Sequence, residues 1–354
     1  MDKDRKGKSV MERNSPLVSV VIVHYKDFDY LRNCILSVAK STYENIELII
    51  VDNGLQKISP SDLPEIDIPI NYISSPKNLG FGDGCNQGIH NAKGEFVFIL
   101  NNDIEIDQNC IPELVKILVD DPSIAVAQPK MLDLNDKEHF HSSGAGRMID
   151  ILGYPFARGR ILDKVEKDMG QYDNFSDIFW ASGAAIFIRK DVLEKAGYFD
   201  TYYFMYMEEI DLIWRIHLLG SYRVVYVPTT KIYHFGCPNL GRENLWRMYY
   251  VHRNSLIMLL KNYSWITLLF IFPVRLILEA GTAAEYLFTL KWKRTIAILM
   301  AFGHIIGHLP LIIRKRRQVQ LMRKADDRYV LDKMYKGSIL LMYLFGYKKA
   351  SQLL

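Results

Sequence analysis

Three carboxylates within four residues form the cluster of this sequence best suited to proton transfer. Glu208, Glu209 and Asp211 stand at the predicted start of a helix, where the helix dipole favours negative charge. Strongly apolar segments flank them, so the cluster is expected at the rim of a core, where desolvation and mutual repulsion raise a carboxylate pKa toward the range of a general base. The alternative is a solvated acidic face, the usual interpretation of such a charge run.

Polar side chains also follow two predicted strands. Asp52 and Asn53 end the run IELIIVDN, while Asn102 and Asp103 end the run EFVFILNND. Ligands of open α/β sheets bind beyond the carboxyl ends of the strands. Asp52 can accept hydrogen bonds from a nucleobase or ribose, although a turn Asp-Asn is on its own the commoner interpretation.

Asp103 offers the hard oxygen ligand that Mg²⁺ or Mn²⁺ prefers when it keeps waters and bridges phosphates. His234 could complete the shell of a Mn²⁺ ion, whereas a lone histidine near a strand end is more often structural. Together the two residues predict a divalent metal site.

The segment 78–88 reads NLGFGDGCNQG and opens a predicted helix. Its glycines allow the backbone to approach a ligand closely where helix N–H groups point outward, so Asn78 and Gly80 are candidate donor-binding residues. The glycine spacing differs from the GxGxxG pattern of dinucleotide-binding loops.

The elements that carry these residues predict an α/β fold. Continuous β-branched runs from Val18, at 46–53, 70–74 and 95–103 alternate with amphipathic helical segments. Strands of this kind occur where helices cover both faces of a mostly parallel, doubly wound sheet. Further strands are predicted at 124–132, at 180–190 and in SYRVVYVP, and a helix is predicted over 203–220.

Beyond residue 260 the sequence becomes strongly apolar. Two long stretches are bounded by the basic segments 291–294 and 314–317, and the second nearly reaches the ~20 residues of a membrane span. Arg275, Glu279 and Glu285 interrupt the first. We therefore expect helices lying in the bilayer interface or a shallow hairpin, attracted to anionic lipid. A helical lid packed on the domain or a dimer contact is the alternative.

Composition narrows the class of protein. A formal charge of +4 over 354 residues, without a basic stripe interleaved with aromatics, makes nucleic acid an unlikely partner. Four dispersed cysteines, Cys237 among them, favour a reducing, cytoplasmic setting. We expect a disordered lead-in over the charged residues 1–15, a catalytic domain over residues 16–260, and a membrane-associated helical region over residues 261–354.

The ordered motifs VSVVIVHY, IIVDN, NLGFGDGCNQGI, ILNNDIEI, WASGAAIFIRK and FDTYYFMYMEEIDLIWRI, followed by the His234 segment, resemble the family 2 glycosyltransferases of the GT-A fold, particularly the rhamnosyltransferase-like branch. The resemblance covers about residues 17 to 254. It implies an inverting transfer of a sugar from a UDP-, dTDP- or GDP-linked donor to an acceptor hydroxyl. The apolar, basic-flanked C-terminal region adds the expectation of a glycan or polyprenyl-linked acceptor at the cytoplasmic face of the cell membrane.

The resemblance also implies residue roles. Asp52 would read the nucleotide, Asp103 would end a DxD-like metal motif, the acceptor would approach Trp180 and Gly183, and Glu209 would be the catalytic base. Two positions depart from the family pattern: the metal motif reads Asn-Asn-Asp, and glutamate replaces aspartate at the base. The alternatives are a sugar-nucleotide nucleotidyltransferase, whose glycine-rich N-terminal loop is missing, and a non-catalytic membrane scaffold. A homodimer through the apolar region is possible.

Overall fold

The structure is a computed structural model that describes residues 15–54, 58–141, 144–161, 164–236 and 244–353. The predicted lead-in, apart from Ser15, and Cys237 lie outside the described residues.

Thirteen strands in the described part of the chain form a large and a small sheet. The strands are β1 (Val18–His24), β2 (Ile46–Asp52), β3 (Ile70–Ser74), β4 (Phe96–Asn101), β5 (Ile104–Ile106), β6 (Ile124–Asp133), β7 (Arg147–Ile149), β8 (Pro155–Ala157), β9 (Arg160–Ile161), β10 (Lys164–Val165), β11 (Ser176–Asp177), β12 (Ala185–Arg189) and β13 (Arg223–His234).

The large sheet runs in the order β11-β13-β6-β12-β4-β1-β2-β3, with β5 paired to β13. Strands β4, β1, β2 and β3 are mutually parallel, and β13 is parallel to β6, whereas β12 is antiparallel to both its neighbours. The mostly parallel sheet expected from the sequence is confirmed.

The helices are α1 (Phe28–Ala39), α2 (Phe81–Asn91), α3 (Cys110–Asp120), α4 (Lys190–Ala196), α5 (Glu208–Leu218), α6 (Leu245–Asn262), α7 (Trp265–Phe288), α8 (Trp292–Gly307), α9 (Leu309–Met322), α10 (Asp327–Leu331) and α11 (Ile339–Leu344).

Alternate residues of the central strands feed two separate apolar cores. On β1, Val21 and Val23 belong to one core, and Val20 and Ile22 to the other. All seven residues of β1 are buried, as expected for a strand covered by helices on both faces.

The small sheet has the order β10-β9-β8-β7, is antiparallel, and lies in the chain between β6 and β12. An isolated β-bridge connects Arg147 of the small sheet with Trp180, which lies between β11 and β12 of the large sheet. This sheet was not predicted, because its strands are two or three residues long.

The predicted helix over 203–220 begins only at Glu208. The residues before it form a short 3₁₀ turn, Thr201–Tyr203, and an irregular segment in which Phe204, Tyr206 and Met207 have positive φ. Most of α5 is buried, including the predicted core positions Ile210, Ile213 and Trp214.

The sequence pattern placed the second apolar stretch nearer to the length of a membrane span than the first, and the structure reverses that order. Among the described residues, α7 is the one continuous helix long and apolar enough to cross a membrane, while the second stretch is broken into α8 and α9, which meet at 75°. Arg275 and Glu279 do not interrupt the outer face of α7, because both are buried against the rest of the protein and paired with each other at 2.6 Å.

Candidate active site

The carboxyl ends of three neighbouring parallel strands deliver polar groups to one edge of the sheet. His24 of β1 lies in register with Asp52 of β2, and Asn101 of β4 lies beside Val23. This is the edge at which the sequence places the donor site.

Asp52 is fully buried and its carboxylate organises the loop that follows β2. Oδ1 accepts a hydrogen bond from the Gly54 amide at 3.1 Å, and Oδ2 accepts from the Ile58 amide and from the Tyr72 hydroxyl at 2.7 Å. These contacts match the turn interpretation of Asp52; direct reading of a nucleotide by this residue stays a prediction.

Asn53 and Asn78 fix the glycine-rich loop. The Asn53 side chain accepts from the Leu79 amide at 2.9 Å and donates to the Gly80 carbonyl at 2.9 Å, while Asn78 Oδ1 accepts from the Gly80 amide. Gly80 has a φ of +87°, and a Cβ there would lie 2.2 Å from the Phe204 carbonyl oxygen. The loop thus packs backbone to backbone on the segment that precedes the acidic cluster.

Asp103 and His234 converge from β4 and β13. His234 Nε2 lies 3.1 Å from Asp103 Oδ1, and its Nδ1 lies 2.9 Å from Nδ1 of His141. Burial raises the pKa of Asp103, but the hydrogen bond and charge of His234 outweigh it, so the net pKa lies below its usual value. Burial, reinforced by His234, lowers the pKa of His141 to about 2. Neighbouring Asn102 donates to the Lys26 carbonyl at 2.8 Å.

These donors fit a divalent cation that keeps part of its own coordination sphere. A carboxylate oxygen and an imidazole nitrogen are held at one point, yet within the described residues no group of three or more such ligands converges. Phosphate and water oxygens would have to supply the remaining positions, which is the usual way in which Mg²⁺ is bound.

The acidic cluster follows a strained segment. Phe204, Tyr206 and Met207 adopt positive φ values of 64°, 67° and 73°. Such conformations cost non-glycine residues about 1–2 kcal/mol each, so surrounding contacts must hold them. Their effect is to start α5 abruptly at Glu208, with its carboxylates at the helix N-terminus.

Glu208 and Glu209 differ in access. Glu208 is buried, whereas Glu209 is partly exposed. Burial raises the pKa of both carboxyls, and the charge of Glu209 raises that of Glu208 further. Glu209 accepts a hydrogen bond from the Gly183 backbone, while its Oε2 accepts none from any described residue.

Asp211 has a different environment. Its carboxylate is fully buried and binds Arg215 at 2.9 Å, Lys261 at 3.1 Å, the Tyr203 hydroxyl at 2.9 Å and the Asn262 amide at 3.0 Å. All these partners belong to the fold, so the geometry assigns Asp211 to structural support and sets it apart from the two glutamates.

Gly183 lies beside Glu209, and Trp180 is connected to Glu209 through Arg147; binding of the acceptor by Trp180 and Gly183 stays a prediction. A Cβ on Gly183 would lie 3.5 Å from Glu209 Oε1. Trp180 is buried, donates its indole N–H to the Met148 carbonyl at 2.9 Å, and carries the Arg147 guanidinium 4.4 Å above its ring. The Glu209 charge is also the largest favourable influence on the buried Arg147.

Sequence reasoning missed the residues of α6 that hold the acidic segment. The Asn254 side chain donates to the carbonyls of Tyr203, Met205 and Tyr206 at 3.1, 2.8 and 2.7 Å. Arg253 donates to the Tyr202 and Tyr203 carbonyls at 3.0 Å. The sequence signal was weak, since two polar residues in a helix normally indicate a solvated face; their complete burial is a tertiary effect.

Comparison with known proteins identifies relatives of one kind. The family described as glycosyl transferase family 2 matches residues 19–197. An N-acetylglucosaminyl-diphospho-decaprenol L-rhamnosyltransferase of Mycobacterium tuberculosis is 24% identical over 273 residues, which cover 70% of this chain and 85% of that protein. A low-salt glycan biosynthesis hexosyltransferase of Haloferax volcanii is 27% identical over 56% of this chain and 61% of its own length.

Solved structures share the fold. The mannosyltransferase of Pyrobaculum calidifontis in complex with GDP-Man and Mn²⁺ has a TM-score of 0.51 at 14% identity, over 95% of this chain and 89% of that one. The S. aureus TarS fragment 1–349 with UDP-GlcNAc has a TM-score of 0.55 at 15% identity, over 93% and 92%. The expected GT-A fold is thereby confirmed.

Proposed function

Because the chain belongs to glycosyl transferase family 2 and is a glycosyltransferase, we propose that it moves a sugar from a nucleoside-diphosphate donor to a hydroxyl of a lipid-linked or polysaccharide acceptor, with inversion. One observation carries the mechanism. A continuous series of contacts and charge interactions, Asp103–His234–His141–Arg147–Glu209, joins the candidate donor edge to a carboxyl group of raised pKa.

In this proposal Glu209 takes the proton of the acceptor hydroxyl while that oxygen forms the new bond at the anomeric carbon. The bond from that carbon to the donor phosphate breaks, and the nucleoside diphosphate leaves. The raised pKa and the unused Oε2 of Glu209 support its role as the base. Glu208 is buried and is the second carboxyl of the cluster with a raised pKa, and Asp211 serves the fold.

The donor would lie along the edge formed by Asp52, Asn53, Asn78, Gly80, Asn102 and Asp103. Asn53 and Asn78 hold the loop amides in place, as their hydrogen bonds indicate. Asp103 and His234 would hold Mg²⁺ or Mn²⁺, which when bound offsets charge on the departing diphosphate. The Mn²⁺ in the mannosyltransferase complex supports this assignment only by similarity of fold.

We propose a polyprenyl-diphosphate sugar as the acceptor. The Mycobacterium relative is named for such a substrate. The division of the chain also supports it: residues 16–260 would form the catalytic domain, and 261–354 a helical region bound to the cytoplasmic face of the cell membrane.

The outer face of α7 supports membrane binding. Ile266, Leu269, Phe270 and Ile277 are each at least 70% exposed, while the charged side chains Arg275 and Glu279 point inward. Apolar residues of this density on one helix face are characteristic of helices that lie in the bilayer interface. The exposed basic segment 291–294 at the end of α7 would favour anionic lipid.

The base assignment is tested with Glu209→Gln, which keeps shape and removes the proton acceptor. Transfer to a polyprenyl-diphosphate N-acetylglucosamine, measured as nucleoside diphosphate released from a panel of nucleotide sugars, should fall by about 10²- to 10⁴-fold. Donor affinity should remain, because Glu209 is not on the donor edge. The control is Glu194→Gln, an exposed glutamate of α4.

Undiminished transfer by Glu209→Gln would refute the assignment. Pyrophosphate as the product would instead indicate a nucleotidyltransferase, and an absence of turnover with every donor would indicate a scaffold. In the wild type, the acidic limb of the pH profile should lie above the usual glutamate pKa of about 4.3, since burial raises the pKa of Glu209.

A further inference from the structure

The small sheet β7–β10 carries two arginines, Arg147 and Arg160, and the charge of Arg147 acts on the candidate base Glu209. Arg147 on β7 pairs directly with Ala157 on β8, and Ala157 pairs directly with Arg160 on β9. Residues directly opposite each other in antiparallel strands share a face of the sheet. The two arginines therefore stand on one face with the smallest possible chiral side chain between them.

The row formed by Arg147, Ala157 and Arg160 is fixed at its Arg147 end, which adjoins the candidate active site. Arg147 bridges to Trp180 through the backbone, and its guanidinium stacks on the Trp180 ring at 4.4 Å. The Trp180 indole is itself held by the Met148 carbonyl. A stacked guanidinium keeps a defined orientation and loses little further freedom when it binds an anion.

The electrostatics of this corner is that of a cation pair next to a carboxylate. Burial lowers the pKa of Arg147 to about 10; the charge of Glu209 opposes that shift, and Arg160 adds repulsion. Two guanidiniums that repel each other gain most from a ligand carrying two negative charges.

We propose that Arg147 and Arg160 bind the diphosphate of the acceptor, so that this row of the small sheet selects acceptors in which the sugar is linked to lipid through a diphosphate. The inference rests on the proposed function, because it places the acceptor sugar between Glu209 and the row. Two steps across the sheet separate the two Cβ atoms by about 10 Å, and guanidinium forks from both sides can close on one diphosphate. Ala157 places only a methyl group between them.

Binding is tested first without turnover. The full chain is titrated with inorganic pyrophosphate and binding is measured by calorimetry. Excess EDTA is present, so that no metal ion can hold the pyrophosphate. The wild type should bind, and Arg160→Gln should weaken binding about ten- to a hundredfold, the value of a charged hydrogen bond of roughly 1.5–3 kcal/mol. Lys164→Gln, an exposed cation on the adjacent strand β10, is the matched control and should bind as the wild type does. No pyrophosphate binding by the wild type, or equal binding by Arg160→Gln, overturns the proposal.

Transfer then separates the acceptor's diphosphate from the donor's. Two acceptors with the same sugar are compared, farnesyl-diphosphate N-acetylglucosamine and the neutral octyl N-acetylglucosaminide. Arg160→Gln should raise KM for the first at least tenfold and leave KM for the second and for the donor unchanged. An equal loss with both acceptors, or a raised donor KM, overturns the proposal. A wild type that transfers to neither acceptor would refute the proposed function instead, and the pyrophosphate measurement would still decide whether the row is an anion site.

Discussion

The donor edge and the acidic segment are held in place in different ways. At the donor edge, Asn53 binds the backbone of Leu79 and Gly80, and Asp52 binds that of Gly54 and Ile58, so the supports of the glycine-rich loop and of the loop after β2 lie within about thirty residues of chain. The acidic segment is instead held from α6, some fifty residues later, by Asn254. These two loops of the donor edge are thus organised locally, whereas the position of the base depends on the C-terminal part of the chain.

That dependence extends into the apolar region. Helix α6 also contacts α8 and α9. Lys315 of α9 and Lys261 of α6 both bind Asp200, which lies just before the strained segment. The C-terminal helices therefore take part in building the active site, in addition to any role at a membrane.

Removal of Lys261 should have the largest effect on stability. Lys261 is buried between Asp200 and Asp211, so Lys261→Met removes a cation that Asp211 shares with Arg215 and that Asp200 shares with Lys315. Breaking a buried pair in this way costs about 3–5 kcal/mol. Urea unfolding should show this loss, while Lys195→Met, which breaks an exposed pair with Asp191, should cost no more than about 1 kcal/mol. Similar losses in the two variants would mean that the buried ion pairs of Lys261 stabilise the fold no more than an exposed pair does.

Acid should remove the same stabilisation. Burial raises the pKa of Asp211, but Lys261 and Arg215 outweigh it, so the folded-state pKa lies below the unfolded value. The pKa of Asp200 is lowered for the same reason, by Lys261 and Lys315. A depressed carboxyl pKa gives stability that is complete above the unfolded pKa, about 3.9, and is lost as the pH falls toward the folded value. The free energy of unfolding should therefore fall below about pH 4 in the wild type and fall less steeply in Lys261→Met.

Asn254→Ala should separate stability from catalysis. It leaves the Met205 and Tyr206 carbonyls without their side-chain donor and removes one of the donors to the Tyr203 carbonyl, at a cost of about 1–3 kcal/mol. Because these carbonyls precede Glu208, kcat should fall while donor KM changes little. Asn91→Ala, an exposed asparagine of α2, is the control. A variant with raised donor KM and normal kcat would contradict the proposed division between the two regions.

Asn53→Ala is the converse test on the donor edge. It removes two hydrogen bonds to the glycine-rich loop, worth together about 1–3 kcal/mol. Donor KM should rise, and the pH dependence of the rate should stay that of the wild type because the surroundings of Glu209 are intact. A shifted acidic limb would show that the two regions are coupled through Gly80 and Phe204.

The smallest effect on folding is expected on the outer face of α7. Leu269 and Phe270 are each 72% exposed, so replacing both with asparagine should change the free energy of unfolding by less than about 0.5 kcal/mol per residue. Sedimentation with vesicles of mixed neutral and anionic lipid should fall sharply. Unchanged sedimentation would argue for a dimer contact or lid in place of the bilayer.

The sequence predicted best what is decided by short-range pattern. The runs that form β1, β2 and β4 were recognisable because both faces of each strand are buried. The ends of these runs then located the turn residues that follow the strands. The start of α5 was misplaced by five residues, since Tyr203–Met207 has helical composition and is held out of the helix by Asn254. Whether Asp211 is buried with Lys261 or exposed beside Glu209 likewise depends on a helix distant in sequence.

The buried pair Arg275–Glu279 bears on how the protein is made. Arg275 donates to the Leu152 carbonyl at 2.8 Å and to the Ser255 hydroxyl at 3.0 Å, and Glu279 binds His252 at 2.7 Å. All of these partners precede α7 in the chain and leave the ribosome first, and domains generally fold from the N-terminus during synthesis. An apolar helix carrying two charges is a poor substrate for membrane insertion until a folded surface neutralises them. The order of synthesis thus favours docking of α7 on its own domain before any contact with lipid.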